Sequence, residues 1–187
     1  MSLVEFCKNG DLEGVKDALE AGVDVNTKDE YGRTGLMQAV IHNHNSVIGL
    51  LLKTPKIDVN LKDSDLSFAL NLAVWYNNNE AFAMLLNVPN IDVNIVDKIG
   101  QTALYLAIRK NNIEALKLLL SHPSLTALTL NQKDKEKGAT PVMWAVKWDR
   151  LEHLALLAAD PRVDLDTIDK EGRGLEQNSR WVFLLEY

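Results

Sequence analysis

RTGLMQAV at residues 33–40 decides the fold, because its pattern returns as SFALNLAV at 67–74, QTALYLAI at 101–108 and ATPVMWAV at 139–146. The offsets are 34, 34 and 38 residues. Each copy places core-type residues at i, i+3 and i+4: Leu36, Ala39 and Val40; Leu70, Ala73 and Val74; Leu104, Ala107 and Ile108; Val142, Ala145 and Val146. That spacing lines one face of a helix. Other features keep the same step. KIDVN at 56–60 returns as NIDVN at 90–94, with a shorter GVDVN at 22–26, and Pro55, Pro89, Pro123 and Pro161 mark one slot. The four extra residues fall in SLTALTLNQKDKEKG at 124–138, which reads as a lengthened, charged connection.

Within each unit the expected order is a short helix, a tight break, a second helix and an extended turn. Thr34, Thr102 and Thr140 stand where a hydroxyl can accept a bond from a free N–H at the start of the first helix. Asn43, Asn77, Asn111 and Asp149 stand where it stops, and these types tolerate the left-handed conformation. The second helix is the more apolar, as in IEALKLLL at 113–120. A lone helix pair cannot bury that surface, so neighbouring units must stack.

Composition narrows the function. A net charge of −6 and a pI of about 5.2 argue against nucleic acid as the partner. Cys7 is the single cysteine, which excludes an internal disulfide and suits a reducing cytoplasmic or nuclear setting; it reads as a buried structural thiol. No run approaches 18 apolar residues, so no membrane role is expected. Motifs for nucleophilic, phosphate-binding or metal chemistry are missing. His42 and His44 form an H-x-H pair, but side chains two apart on a helix diverge, so no metal or other cofactor is expected.

These repeats, with the turns DEYGRT and DKIGQT, the stretch KGATPVMWAV and the D-V-N triplets, resemble the ankyrin-repeat family. The chain departs from that pattern in lacking proline after Thr34 and Thr102. The resemblance implies an all-α solenoid of stacked helix-turn-helix units with β-turn or hairpin-like connections. It divides into an N-terminal cap at 1–28, full repeats at 29–62, 63–96, 97–134 and 135–168, and a C-terminal cap helix at 169–187, with Trp181 in its core.

Between the constant core columns of the first helix runs a second face that changes from unit to unit: Gln38, Ile41, His42; Leu72, Trp75, Tyr76; Leu106, Arg109, Lys110; Trp144, Lys147, Trp148. Aromatic residues and arginine dominate interface energetics. The resemblance places this face, with the turn tips, along a concave groove that grips a partner. The tips would be Glu30, Tyr31 and Arg33; Ser64, Asp65 and Ser67; Lys98, Ile99 and Gln101; Glu136, Lys137 and Ala139. The expected function is therefore a non-enzymatic module, monomeric on its own, that binds a protein or peptide. Lys98, Arg109, Lys110 and Lys147 suit acidic groups on that partner facing the fourth and fifth units. A laboratory-selected scaffold and a structural or regulatory spacer are the alternatives. The family also implies Asn26, Asn60 and Asn94 as modification sites.

DSDLSF at 63–68 breaks the turn pattern, with Leu66 where its neighbours have glycine and Phe68 where they have threonine. The expectation is a remodelled turn at 64–68, with Leu66 contacting a partner or the adjacent turn and Phe68 also among the partner-binding residues. Restoring glycine and threonine is then expected to stabilise the protein and weaken binding.

Overall fold

A computed structural model describes residues 1–178. Trp181 and most of the expected closing helix lie outside those residues. The chain divides into two compact units, Met1–Asp92 and Val93–Tyr187. Among the described residues the regular structure is helical, and Lys28 and Thr34 form an isolated antiparallel bridge.

The first unit holds three helix pairs: α1 (Leu3–Asn9) and α2 (Leu12–Glu20), α3 (Gly35–Ile41) and α4 (Asn45–Leu52), α5 (Ala69–Trp75) and α6 (Asn79–Leu86). First helices stack in the order α1, α3, α5, and second helices in the order α2, α4, α6. The second unit pairs α7 (Ala103–Arg109) with α8 (Ile113–Ser121), and α10 (Pro141–Lys147) with α11 (Leu151–Ala158). There α7 packs on α10, α8 on α11, and α10 on a 3₁₀ turn at Glu176–Asn178. Every core residue expected from the repeat is buried, none more than 7% exposed. Asn43, Asn77, Asn111 and Asp149 all take positive φ, between 56° and 58°, and end their helices as expected.

The connection at 124–138 is not simply a loop. Its Thr126 caps a short helix, α9 (Ala127–Leu130), which buries Leu130. The extra turn serves the asparagine lattice. Asn26 donates to the Lys56 carbonyl at 2.8 Å and accepts from the Asp58 amide at 2.9 Å. Asn60 repeats this with Asn90 and Asp92, and Asn94 with Ser124 and Thr126. By winding up four residues, α9 delivers Asn131 to the same role: it donates to the Arg162 carbonyl at 2.8 Å and accepts from the Asp164 amide at 2.7 Å. Arg162 locks the segment. Its guanidinium binds both oxygens of Asp160 and donates to the Leu120 and Leu125 carbonyls, each at 3.0 Å. The Arg162 hydrogen bond holds the Asp160 carboxyl below its ordinary range.

The turns are built by aspartate. Asp29 Oδ1 accepts from the amides of Tyr31 and Arg33, each at 2.9 Å, while its own N–H donates to the Arg33 carbonyl. Asp97 and Asp169 do the same two and four residues on. So does Asp63: its Oδ1 accepts from Asp65 at 2.9 Å and Ser67 at 2.8 Å, and its N–H donates to the Ser67 carbonyl. The expected remodelling at 64–68 is therefore absent. Asp63 clamps the same turn, and Leu66 is forced to φ 58°. Phe68 is 1% exposed and stands at the N-cap of α5 without a side-chain cap bond, so core packing replaces the missing threonine. Ser67 does not take over the cap. Thr140 is also a correction: Pro141 occupies the first helical position, and the Thr140 hydroxyl is buried without a partner.

Proline is missing after Thr34 for a packing reason. A β-carbon on Gly35 would lie 2.7 Å from Cys7 Sγ, and burial pushes that thiol up to about 12. Gly35→Ala should therefore cost about 1–3 kcal/mol, and Cys7→Ala in the same chain should recover at least about 1 kcal/mol of it in a double-mutant cycle. In the divergent turn the two substitutions should part company. Leu66→Gly should add about 1 kcal/mol by relieving the left-handed side chain. Phe68→Thr should lose about 2 kcal/mol, because a new cap does not offset a vacated ring site. Urea unfolding midpoints at constant m check both pairs.

Candidate functional site

The turn clamp and the first helices together decide which of the variable residues face outward. Gln38, Leu72, Leu106 and Trp144 occupy one column, and all four are buried. Their variety has an internal cause. Gln38 Nε2 donates to Asp29 Oδ2 at 2.7 Å, and Trp144 Nε1 donates to Asp134 Oδ2 at 2.9 Å. In these two repeats the column braces its own turn from the helix; in the others leucine fills it. Burial opposes ionisation of Asp29, yet the bonds from Gln38 and from the amides of Arg33 and Tyr31 outweigh it and hold the carboxyl low. Gln38, Leu72, Phe68 and Trp144 thus belong mainly to the interior rather than to the outward face the sequence suggested.

The next two columns are the outward ones. In the first unit Trp75 is 39% and Tyr76 is 42% exposed, at the end of a helix whose preceding residues are all buried. Ile41 is half-buried and His42 exposed. The tips add Tyr31 at 60% and Leu66 at 43%, with Ser64 and Asp65 also exposed. The two turns are joined by the Ser64 amide, which donates to the Tyr31 carbonyl at 3.0 Å. Arg33 is half-buried, with its guanidinium 5.8 Å from the Tyr31 ring centre and its Nε 3.6 Å from Asp63 Oδ2. The His42 and His44 rings do not diverge: they stack at 6.1 Å, because Asn43 breaks the helix between them. Burial, and then the neighbouring His44, lower the His42 pKa, while His44 Nε2 bonds the Lys8 carbonyl at 3.0 Å. Among the described residues no group of three or more His, Cys, Asp or Glu is placed to hold a metal ion.

The second unit is built differently. Tyr105, Trp144 and Trp148 form one aromatic cluster: Trp144 stacks on Trp148 at 4.7 Å, and Tyr105 meets them edge-on at 5.9 and 5.7 Å. Burial raises the Tyr105 phenol pKa. Lys147 Nζ lies 4.8 Å and Lys137 Nζ 5.6 Å from the Trp144 ring centre, within cation–π range. Beside the cluster opens a cleft of about 350 Å³ lined by Ile99, Gln101, Tyr105 and Trp144 together with Lys98, Asp134, Lys135 and Glu136. Ile99 is 49% exposed, and Arg109 and Lys110 are exposed at the end of α7. Tyr105 was not visible as a site residue because it shares a column with Met37, Asn71 and Met143. Lys137 was expected at a turn tip; its meeting with Lys147 over Trp144 was not, although it precedes Lys147 by ten residues, the interval by which Asp134 precedes Trp144.

The asparagines at 26, 60 and 94 have their side-chain amides engaged at both ends in the lattice described above. Among the described residues no helix is long and apolar enough to cross a membrane.

A family model for ankyrin repeats, three copies long, matches residues 3–97 and again 70–169. No curated protein matches the chain. Among solved structures, a chain of the complex of the Bd0816 predatory endopeptidase from Bdellovibrio bacteriovorus with immunity protein Bd3460 is similar in fold. Its TM-score is 0.79 at 24% identity, over 94% of this chain and 88% of that one. With the repeat model matched from residue 3 to residue 169, the chain belongs to the ankyrin-repeat family.

Proposed function

We propose that this chain is a non-enzymatic protein-interaction module that binds a protein or peptide through the exposed ends of its first helices and the tips of its turns. The observation that carries this reading is the exposure of Trp75 and Tyr76. Both large aromatic rings stay partly exposed at the end of a helix that buries everything before them, a costly choice unless a partner covers them. Tyr31 and Leu66 extend the apolar surface of the first unit, and Leu66 keeps a strained backbone to stand there. In the second unit Lys98, Arg109, Lys110 and Lys147 favour a partner with acidic groups, whose approach such charges steer. The similar fold in the endopeptidase–immunity protein complex makes a hydrolase one partner class worth assaying.

The test is capture of a partner by the intact chain, followed by titration with that partner. Trp75→Ala with Tyr76→Ala should weaken binding about tenfold or more while circular dichroism and the thermal midpoint stay near wild type, because neither ring is core. Unchanged affinity in a folded double variant would overturn the reading. Association should also slow as salt rises from about 0.05 to 0.5 M, since the second unit's charges act through a screened field; a salt-independent rate would remove the acidic partner from the proposal.

A further inference from the structure

Lys137 and Lys147 are like charges brought to one place. Both ammonium groups sit over the face of Trp144, at 5.6 and 4.8 Å. Two cations drawn to one ring repel each other, and a carboxylate of the chain would ordinarily sit between them. Several acids nearby are already engaged, and among the described residues Glu136, which lines the cleft, forms no ion pair with either lysine. Asp134 accepts from the amides of Glu136, Lys137 and Ala139 and from the Trp144 indole. Glu171 pairs with Arg173 at 2.8 Å, and Arg173 also pairs with Asp169 at 2.8 Å. Among the described residues neither lysine forms an ion pair with a carboxylate, so the pair presents two positive charges on an aromatic base formed by Trp144, Trp148 and Tyr105.

We infer that Lys137 and Lys147 form a two-cation seat for a carboxylate of an acidic peptide segment, whose neighbouring apolar side chain enters the cleft lined by Ile99, Tyr105 and Trp144. This rests on reading the chain as a protein-binding module and names the chemistry one of its surfaces selects. Charge complementarity chooses the occupant: an apolar segment would leave the two ammoniums unpaired, and a basic one would add to the repulsion. The cleft is large enough for a side chain or two, about 350 Å³, and its charged lining carries both signs, Lys98 and Lys135 beside Asp134 and Glu136. The crowding acts on Lys147 as well: the adjacent Lys137 ammonium, and then burial, lower its pKa. An arriving anion relieves that crowding.

The experiment titrates the full chain at low salt with a capped Glu-Glu-Leu-Glu-Glu peptide, its Gln-for-Glu counterpart and inorganic phosphate. Binding is followed by the indole N–H resonances of Trp144 and Trp148 and by the Lys147 ammonium titration. The acidic peptide should shift both indoles saturably and raise the Lys147 pKa, and the amide counterpart should bind about tenfold more weakly. Lys137→Met with Lys147→Met should lose about tenfold in affinity, whereas the paired arginine variant should retain it. Equal binding of the two peptides, or unaltered affinity in a folded methionine pair, would overturn the seat. So would a saturable response to phosphate with none to the acidic peptide. Partner capture that survives any of these results keeps the module reading and withdraws only the seat; capture lost in Trp75→Ala with Tyr76→Ala leaves the peptide result unaffected.

Discussion

An aspartate carboxylate that holds backbone amides two and four residues ahead is the constraint on which the turns depend. Asp29, Asp63, Asp97 and Asp169 each close a turn this way, and Asp134 closes a longer one, its two oxygens accepting from amides two, three and five residues ahead. Charge-assisted bonds to backbone N–H are about twice as strong as neutral ones, so the clamp outweighs local preferences. That is how Leu66 comes to occupy a conformation its side chain resists. The turn's shape is set by residue 63, and residue 66 can only follow. A turn that keeps its shape without its glycine is then free to vary in what it displays, which is the property a recognition surface needs.

The same carboxylates tie the turns to the helices. Gln38 reaches Asp29 and Trp144 reaches Asp134 from one helical column, so chemically unlike side chains perform one structural task. In the second unit this bond has a consequence beyond bracing. Holding the Trp144 indole to Asp134 fixes the plane of the ring, and the fixed ring collects Trp148, Tyr105 and two lysines around it. The asparagine lattice does comparable work on the opposite connections, linking carbonyl and amide groups about thirty residues on.

Much of this was legible in the sequence because it repeats. The helix pairs, the alternation of core columns, and the left-handed Asn43, Asn77, Asn111 and Asp149 all follow from a period that shows the same constraint several times. What the period could not separate was variation driven by partners from variation driven by internal exchange. Gln38, Leu72 and Trp144 differ as much as Ile41, Trp75 and Lys147 do, yet the first set is buried. Phe68 misled for a related reason: it replaced a capping threonine, and from sequence alone a lost cap looks like exposure rather than like a ring filling the core. Asn131 was hidden by the four-residue insertion, since the helical turn that restores its register replaces the D-V-N triplet with T-L-N.

The bulk charge was the least informative quantity, and the clamps explain why. A net charge of −6 counts every carboxylate as though it faced solvent. Around α10 three carboxylates are already committed: Asp134 to backbone amides and an indole, Asp169 and Glu171 to Arg173. A carboxylate whose oxygens accept several bonds keeps its charge, but that charge is partly offset by the donors. Among the described residues Lys137 and Lys147 form no ion pair with a carboxylate, and both ammonium groups lie over the Trp144 ring. An acidic protein can thus carry a locally cationic surface, because the scaffold consumes its acids in holding the turns that present its lysines.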